Sequence, residues 1–196
     1  MRFVLTDTDW ILDSLFPGEW EWIRILPRLA AGDGLRSDSV ERLFPSPVAS
    51  DVLVDESTFT QIEDWDELIR PELEEGFYRD REVVEEDLTR SEALSLDDYA
   101  EDDPIREELE EAGFPEDLPS MHRILVPHEN TDAWYSTLNQ ARLLMNEEFR
   151  IADSDERQLV KTLGPSAINE DRILLIAQYE LYSVIQSILV ENVMHP

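Results

Sequence analysis

Arg2-Phe3-Val4-Leu5-Thr6-Asp7-Thr8-Asp9-Trp10-Ile11-Leu12-Asp13-Ser14-Leu15 opens the chain, and its reading sets the fold class. Arg2-Phe3-Val4-Leu5 is a short β-prone run. Thr6-Asp7-Thr8-Asp9 has capping-box spacing, with Asp in place of the preferred Glu. Trp10, Ile11, Leu15 and Phe16 then supply one face of a helix. A second β-prone run, Arg123-Ile124-Leu125-Val126, also leads into a helix, starting near His128–Thr131. Neither run can be stable alone. They are expected to pair as a minor antiparallel ribbon, Arg2–Leu5 with Arg123–Val126.

The rest of the pattern is helical. Trp20, Ile23 and Pro27 mark a short helix from Glu19 to Ala31, closed by the turn Gly32-Asp33-Gly34. Thr60 to Arg90 reads as a long amphipathic helix. Ile62, Trp65, Leu68-Ile69, Leu73, Phe77, Val84 and Leu88 recur at three- and four-residue steps. Pro71 lacks the N–H that a helix interior needs, so a kink or break is expected near Ile69–Arg70. Trp134, Leu138, Ala141, Met145 and Phe149 form the stripe of another helix. Asn169-Glu170-Asp171 caps the last one, which runs to about Met194 and is apolar around most of its circumference. It is expected at the centre of the molecule, any face left over serving as a homo-oligomer interface. The fold class that follows is all-α: a bundle of five or six helices with the two-stranded ribbon as a minor feature. It forms one domain over residues 1–196, with a poorly core-like acidic insertion at about 91–120.

The chain carries 46 Asp+Glu against 16 Lys+Arg, a formal net charge of −30. Phosphate backbones repel such a chain, which argues against direct nucleic-acid binding. It has no cysteine, so thiol chemistry, cysteine zinc sites and disulfides are excluded. The acidity is local. Residues 55–117 hold 26 acids and 5 bases, whereas 1–54 and 118–196 carry only −4 and −5. A uniformly acidic coat would not be distributed in this way; a solvated acidic segment is. No secretory pattern follows Met1-Arg2, and Gln178, Glu180, Gln186, Glu191 and Asn192 interrupt the apolar region Ile173–Met194. A cytoplasmic protein with no membrane partner is expected.

Chemistry-bearing patterns are sparse. Glu63/Glu67, Glu82/Glu86 and Glu107/Glu111 are i,i+4 pairs, but with this many acids such pairs are unavoidable. The histidines are His122, His128 and His195, and none has the Glu three residues earlier that a di-metal helix bundle uses. No phosphate loop and no G-x-S-x-G elbow is present. No catalytic residue, metal or cofactor is therefore expected. Asn139 and Arg142 sit three apart beside the apolar face of their helix. With Gln178 and Gln186 of the last helix they are the candidate polar sites, a structural interhelical contact being the commoner use of such groups. In Glu19-Trp20-Glu21-Trp22 the two indoles cannot share one helix face. Trp20 or Trp22 is then a candidate partner contact.

Three blocks resemble the bacterial family catalogued as domain of unknown function 2017. They are Arg42-Leu43-Phe44-Pro45, the segment Ala133-Trp134-Tyr135-Ser136-Thr137-Leu138-Asn139-Gln140-Ala141-Arg142-Leu143, and Gln178-Tyr179-Glu180-Leu181-Tyr182 with Gln186. The resemblance implies a small, mainly helical cytoplasmic protein. It also implies, by association with the adaptor of the Clp protease, a regulatory or proteolysis-linked role.

The expected function is a non-enzymatic protein-interaction or regulatory module whose partner has a basic surface. An acidic mimic that occupies a nucleic-acid-binding protein is the alternative. A carboxylate metal-dependent enzyme is a more distant one.

Overall fold

The computed structural model describes residues 1–48, 56–111, 120–152, 155–164 and 167–194. His195 and part of the expected acidic insertion, residues 112–119, lie outside them.

Residues 2–15 form a β-hairpin. Strand β1 (Arg2–Leu5) pairs antiparallel with β2 (Asp9–Leu15), Leu5 opposite Trp10. Thr6 to Asp9 is the turn. The Thr6 N–H donates to the Asp9 carbonyl at 2.9 Å, and the Asp9 N–H donates to Thr6 Oγ1 at 3.0 Å. A hydroxyl accepting from the N–H three residues on is the capping-box bond, used here to close a hairpin.

The expected all-α bundle is thereby corrected. Strand β3 (Glu92–Leu94) and β4 (Met121–Pro127) complete a four-stranded antiparallel sheet of order β1-β2-β4-β3. The expected ribbon of Arg2–Leu5 with Arg123–Val126 does not form, because β2 lies between those strands and pairs with both. The period of β2 is two. Trp10 and Leu12 turn into the core, while Ile11 and Asp13 face the other way. Leu12 lies opposite Ile124 but Leu15 opposite His122, so β2 holds one extra residue. This bulge, with Ser14 at φ +56°, returns Leu15 to the core face instead of the opposite one.

Helices α1 (Pro17–Arg24), α2 (Leu26–Ala30) and α3 (Ser37–Val40) follow the hairpin. After α4 (Glu56–Asp64), a π-helical turn at Trp65–Ile69 runs directly into α5 (Arg70–Thr89). The expected kink or break near Ile69–Arg70 takes the form of this wide turn, where α-helical bonding is interrupted before α5 starts at Arg70. The Arg70 N–H reaches back five residues to the Trp65 carbonyl, and this wider turn accommodates the proline ring without ending the helix. Helix α6 (Pro104–Glu111) precedes β4; α7 (Thr131–Phe149), α8 (Asp155–Leu163) and α9 (Glu170–Leu189) come after it, α9 continuing as a π-turn over Val190–Met194.

One face of the sheet packs on the helices. Trp10, Leu12, Ile124 and Val126 are fully buried there, and Trp10 meets Trp134 of α7 edge-on at 5.3 Å. Helix α7 is the central element, touching α2, α5 and α9. The expected centre, α9, buries one side only: Ile176, Gln178, Tyr179, Tyr182, Ile185, Gln186 and Leu189. The second face of the sheet is covered at one end by residues 94–109. There Leu94, Tyr99, Ile105 and Leu109 bury Met121 in a small separate cluster.

Candidate functional site

Three internal polar clusters and one open surface are the candidates. The first joins α7 to α9 and collects most of the expected polar residues. The Arg142 guanidinium donates to Gln186 Oε1 and, at 3.4 Å, to the Tyr179 hydroxyl, and lies 5.1 Å from that ring's centre. Gln186 Nε2 in turn reaches the Tyr135 carbonyl at 3.5 Å. Gln178 Nε2 donates at 2.8 Å to the Tyr182 hydroxyl, which itself donates to the Trp22 carbonyl at 2.6 Å. Burial pushes that hydroxyl's pKa far up, so it stays a donor. A cavity of about 240 Å³ opens beside this ladder between Tyr135, Gln186, Ser187, Val190 and Glu191. Asn139 is not part of it. Half-buried, its side chain makes no hydrogen bond among the described residues, whereas its neighbour Gln140 is buried and accepts from Arg81 Nη1 at 2.7 Å.

The second cluster centres on Asp13, turned to the second sheet face by the alternation of β2. Arg2 Nη2 donates to it at 2.5 Å, Arg123 Nε at 2.9 Å and the Tyr99 hydroxyl at 3.3 Å. Burial alone would raise the Asp13 carboxyl; the two guanidinium groups outweigh it and hold the pKa below the ordinary range. Ser14 donates to Tyr99 at 3.2 Å and borders a cavity of about 180 Å³ with Arg2, Pro104, Ile105 and Glu108. The third cluster centres on Asp87, buried at the root of α5 and held by α7.

Both aspartates escaped the sequence reading, and each left a signal. Asp13 interrupts an apolar run, and Asp87 falls three residues after Val84, on the buried stripe of its own helix. Trp20 and Trp22 are both half-buried against the core. Trp20 stacks on His122 at 4.3 Å between ring centres, and burial lowers the pKa of that imidazole.

The internal clusters bond mostly among themselves, Arg2 Nε and Arg142 Nε being buried without a partner, and the open surface contrasts with all three. From Phe59 to Val83, along α4, the π-turn and most of α5, not one residue is buried. Phe59, Leu68 and Ile69 are 61, 64 and 43% exposed. Residues 56–83 hold ten acids and three arginines, so these apolar groups stand between carboxylates. Arg70 is turned inward along the arm, pairing with Glu41 and Glu74 at 3.0 Å and lying over Phe44 at 5.3 Å. Phe77 packs on Phe44, 5.7 Å between centres, and fixes where the arm leaves the body. Helices α4 to α5 span 34 residues, about 50 Å of helix.

A family model described as a domain of unknown function, DUF2017, matches residues 12–193, nearly the whole chain; the chain belongs to that family. No curated protein and no solved structure matches it significantly.

Proposed function

We propose that this member of the DUF2017 family is a non-catalytic docking module, and that its α4–α5 arm binds a basic, amphipathic segment of a protein partner. The observation that carries this is the unburied apolar set Phe59, Leu68 and Ile69 among the acids of the arm. Apolar groups this exposed gain free energy only when something covers them. The carboxylates around them select the occupant: a helix with apolar anchors and Lys or Arg at its borders fits both features. The locally dense negative charge would also speed encounter, an effect that salt weakens.

The test uses two peptides of one composition, a Lys/Leu amphipathic helix and a scrambled version without a stripe, titrated against the full chain by fluorescence anisotropy. The amphipathic peptide is expected to bind at least about tenfold more tightly than the scrambled one. Leu68→Ser with Ile69→Ser is expected to remove most of that preference, and added salt to weaken the remainder. Equal binding of both peptides would leave a polyanion that mimics nucleic acid, and would overturn the docking reading. So would a serine variant that binds as the parent does.

A further inference from the structure

We propose that the outer stripe of α9 is the contact surface for a second copy of this chain. Leu174, Ala177, Leu181, Val184 and Ile188 follow one another at steps of three, four, three and four residues. That is the a/d spacing of a helix–helix seam, sustained over two heptads. The stripe flanks the side that α9 buries, and Leu181 in its middle also packs against the edge of the core. Leu174 and Val184 are 51 and 47% exposed, and Ala177, Leu181 and Ile188 are half-buried. An a/d stripe needs another helix to bury it, and none of this chain's described helices lies over Leu174 or Val184.

Charge selects the occupant. From Ile173 to Val190 the one charged residue is Glu180, in a chain of −30. A basic segment of the kind proposed for the arm finds nothing to hold here. A lipid surface is a poor match as well. The helix has the length and mean hydropathy of a membrane span, 1.6 over its best 18 residues, but its other side is bonded into the protein through Gln178, Tyr179, Tyr182 and Gln186. Its flanking charges are Glu170, Asp171, Arg172 and Glu191; the single cation is already paired with Glu156, where an interfacial helix carries free Lys and Arg. A neutral a/d stripe is complementary to a copy of itself, and Ala177 leaves room for close approach of the second backbone. The seam is about 21 Å long. So short a contact buries less than a standard interface, and the dimer is weak, dissociating at micromolar concentrations or above.

The full chain is to be followed by sedimentation equilibrium from about 1 to about 300 µM. A concentration-dependent monomer–dimer equilibrium is expected, strengthened by salt that screens the net repulsion. Leu174→Glu with Val184→Glu is expected to give monomer throughout, with an unchanged far-ultraviolet spectrum. Should glutamate lower the melting temperature, Leu174→Ser with Val184→Ser makes the same test. A parent that stays monomeric, or a folded variant that still dimerises, overturns the proposal. Flotation of the parent with zwitterionic vesicles, lost in the variant, would assign the stripe to lipid and overturn it too. Because the arm is untouched by these substitutions, loss of the dimer leaves peptide binding by Leu68 and Ile69 independently measurable.

Discussion

Trp134 Nε1 donates a 2.8 Å hydrogen bond to the carboxylate of Asp87, a fully buried acid that joins α5 to α7. Asn130 Nδ2 reaches both oxygens, at 3.0 and 3.1 Å, and Arg90 pairs with the same group. These bonds fasten the end of α5 to α7.

Replacing Asp87 by Ala leaves the Trp134 and Asn130 donors without an acceptor in the interior, and a destabilisation of about 3 kcal/mol is expected. Asn130→Ala removes one donor and leaves the carboxylate with its other partners, so it should cost about 1 kcal/mol. Urea unfolding of both variants checks the ratio. Equal effects would mean that Asp87 is not the organising member.

Acid should act through Asp13. Burial opposes its charge, yet the Arg123 and Arg2 hydrogen bonds leave its pKa below 3.8. An acid with a depressed folded pKa adds stability above its unfolded value, and that stability is lost as pH falls through the folded value. The loss therefore begins near pH 4 and continues below it. Asp13→Asn should be less stable than the parent at pH 7 by about 2 kcal/mol, the usual worth of hydrogen bonds to a charged group, with the gap closing as the pH falls below about 4. Urea midpoints across that range decide it. A gap independent of pH would show that the carboxylate's charge contributes nothing.

How much of this was legible in the sequence depends on the period of each stretch. The helices of residues 60–90 and 131–149 follow from three- and four-residue apolar steps and that of 170–194 from its Asn169 cap and apolar circumference, and all three are helical in the structure. Residues 9–15 misled for a physical reason. Thr6 and Asp9 make the bond of a helix cap, and the bulge at Ser14 places Leu15 out of strict alternation, so neither end of β2 reads as strand. Pro71 marks the place where α-helical bonding gives way to one wide turn. Of the polar residues, Arg142, Gln178 and Gln186 are legible because they border apolar stripes; Arg142 and Gln186 meet across α7 and α9, and Gln178 steadies the Tyr182 bond from α9 to α1. Gln140 was passed over for Asn139, because one residue of helical phase decides which of two adjacent amides is buried.

Gly32 is the position where backbone conformation and packing can be separated. It ends the turn after α2 at φ +87°, and a Cβ there would lie 2.5 Å from Val40 Cγ2. Gly32→Ala should therefore lose both the left-handed conformation that glycine tolerates, about 1 kcal/mol, and the space that Val40 occupies, a further 1–3 kcal/mol or so. Val40→Ala in the same chain clears the clash and leaves the backbone penalty. The double variant is thus expected to recover more than half of the Gly32→Ala loss, apart from the small cost of trimming half-buried Val40 measured in the single variant. Four urea curves complete the cycle. Additive effects would show that Val40 does not press on the turn, and that the glycine is required for its dihedral angle alone.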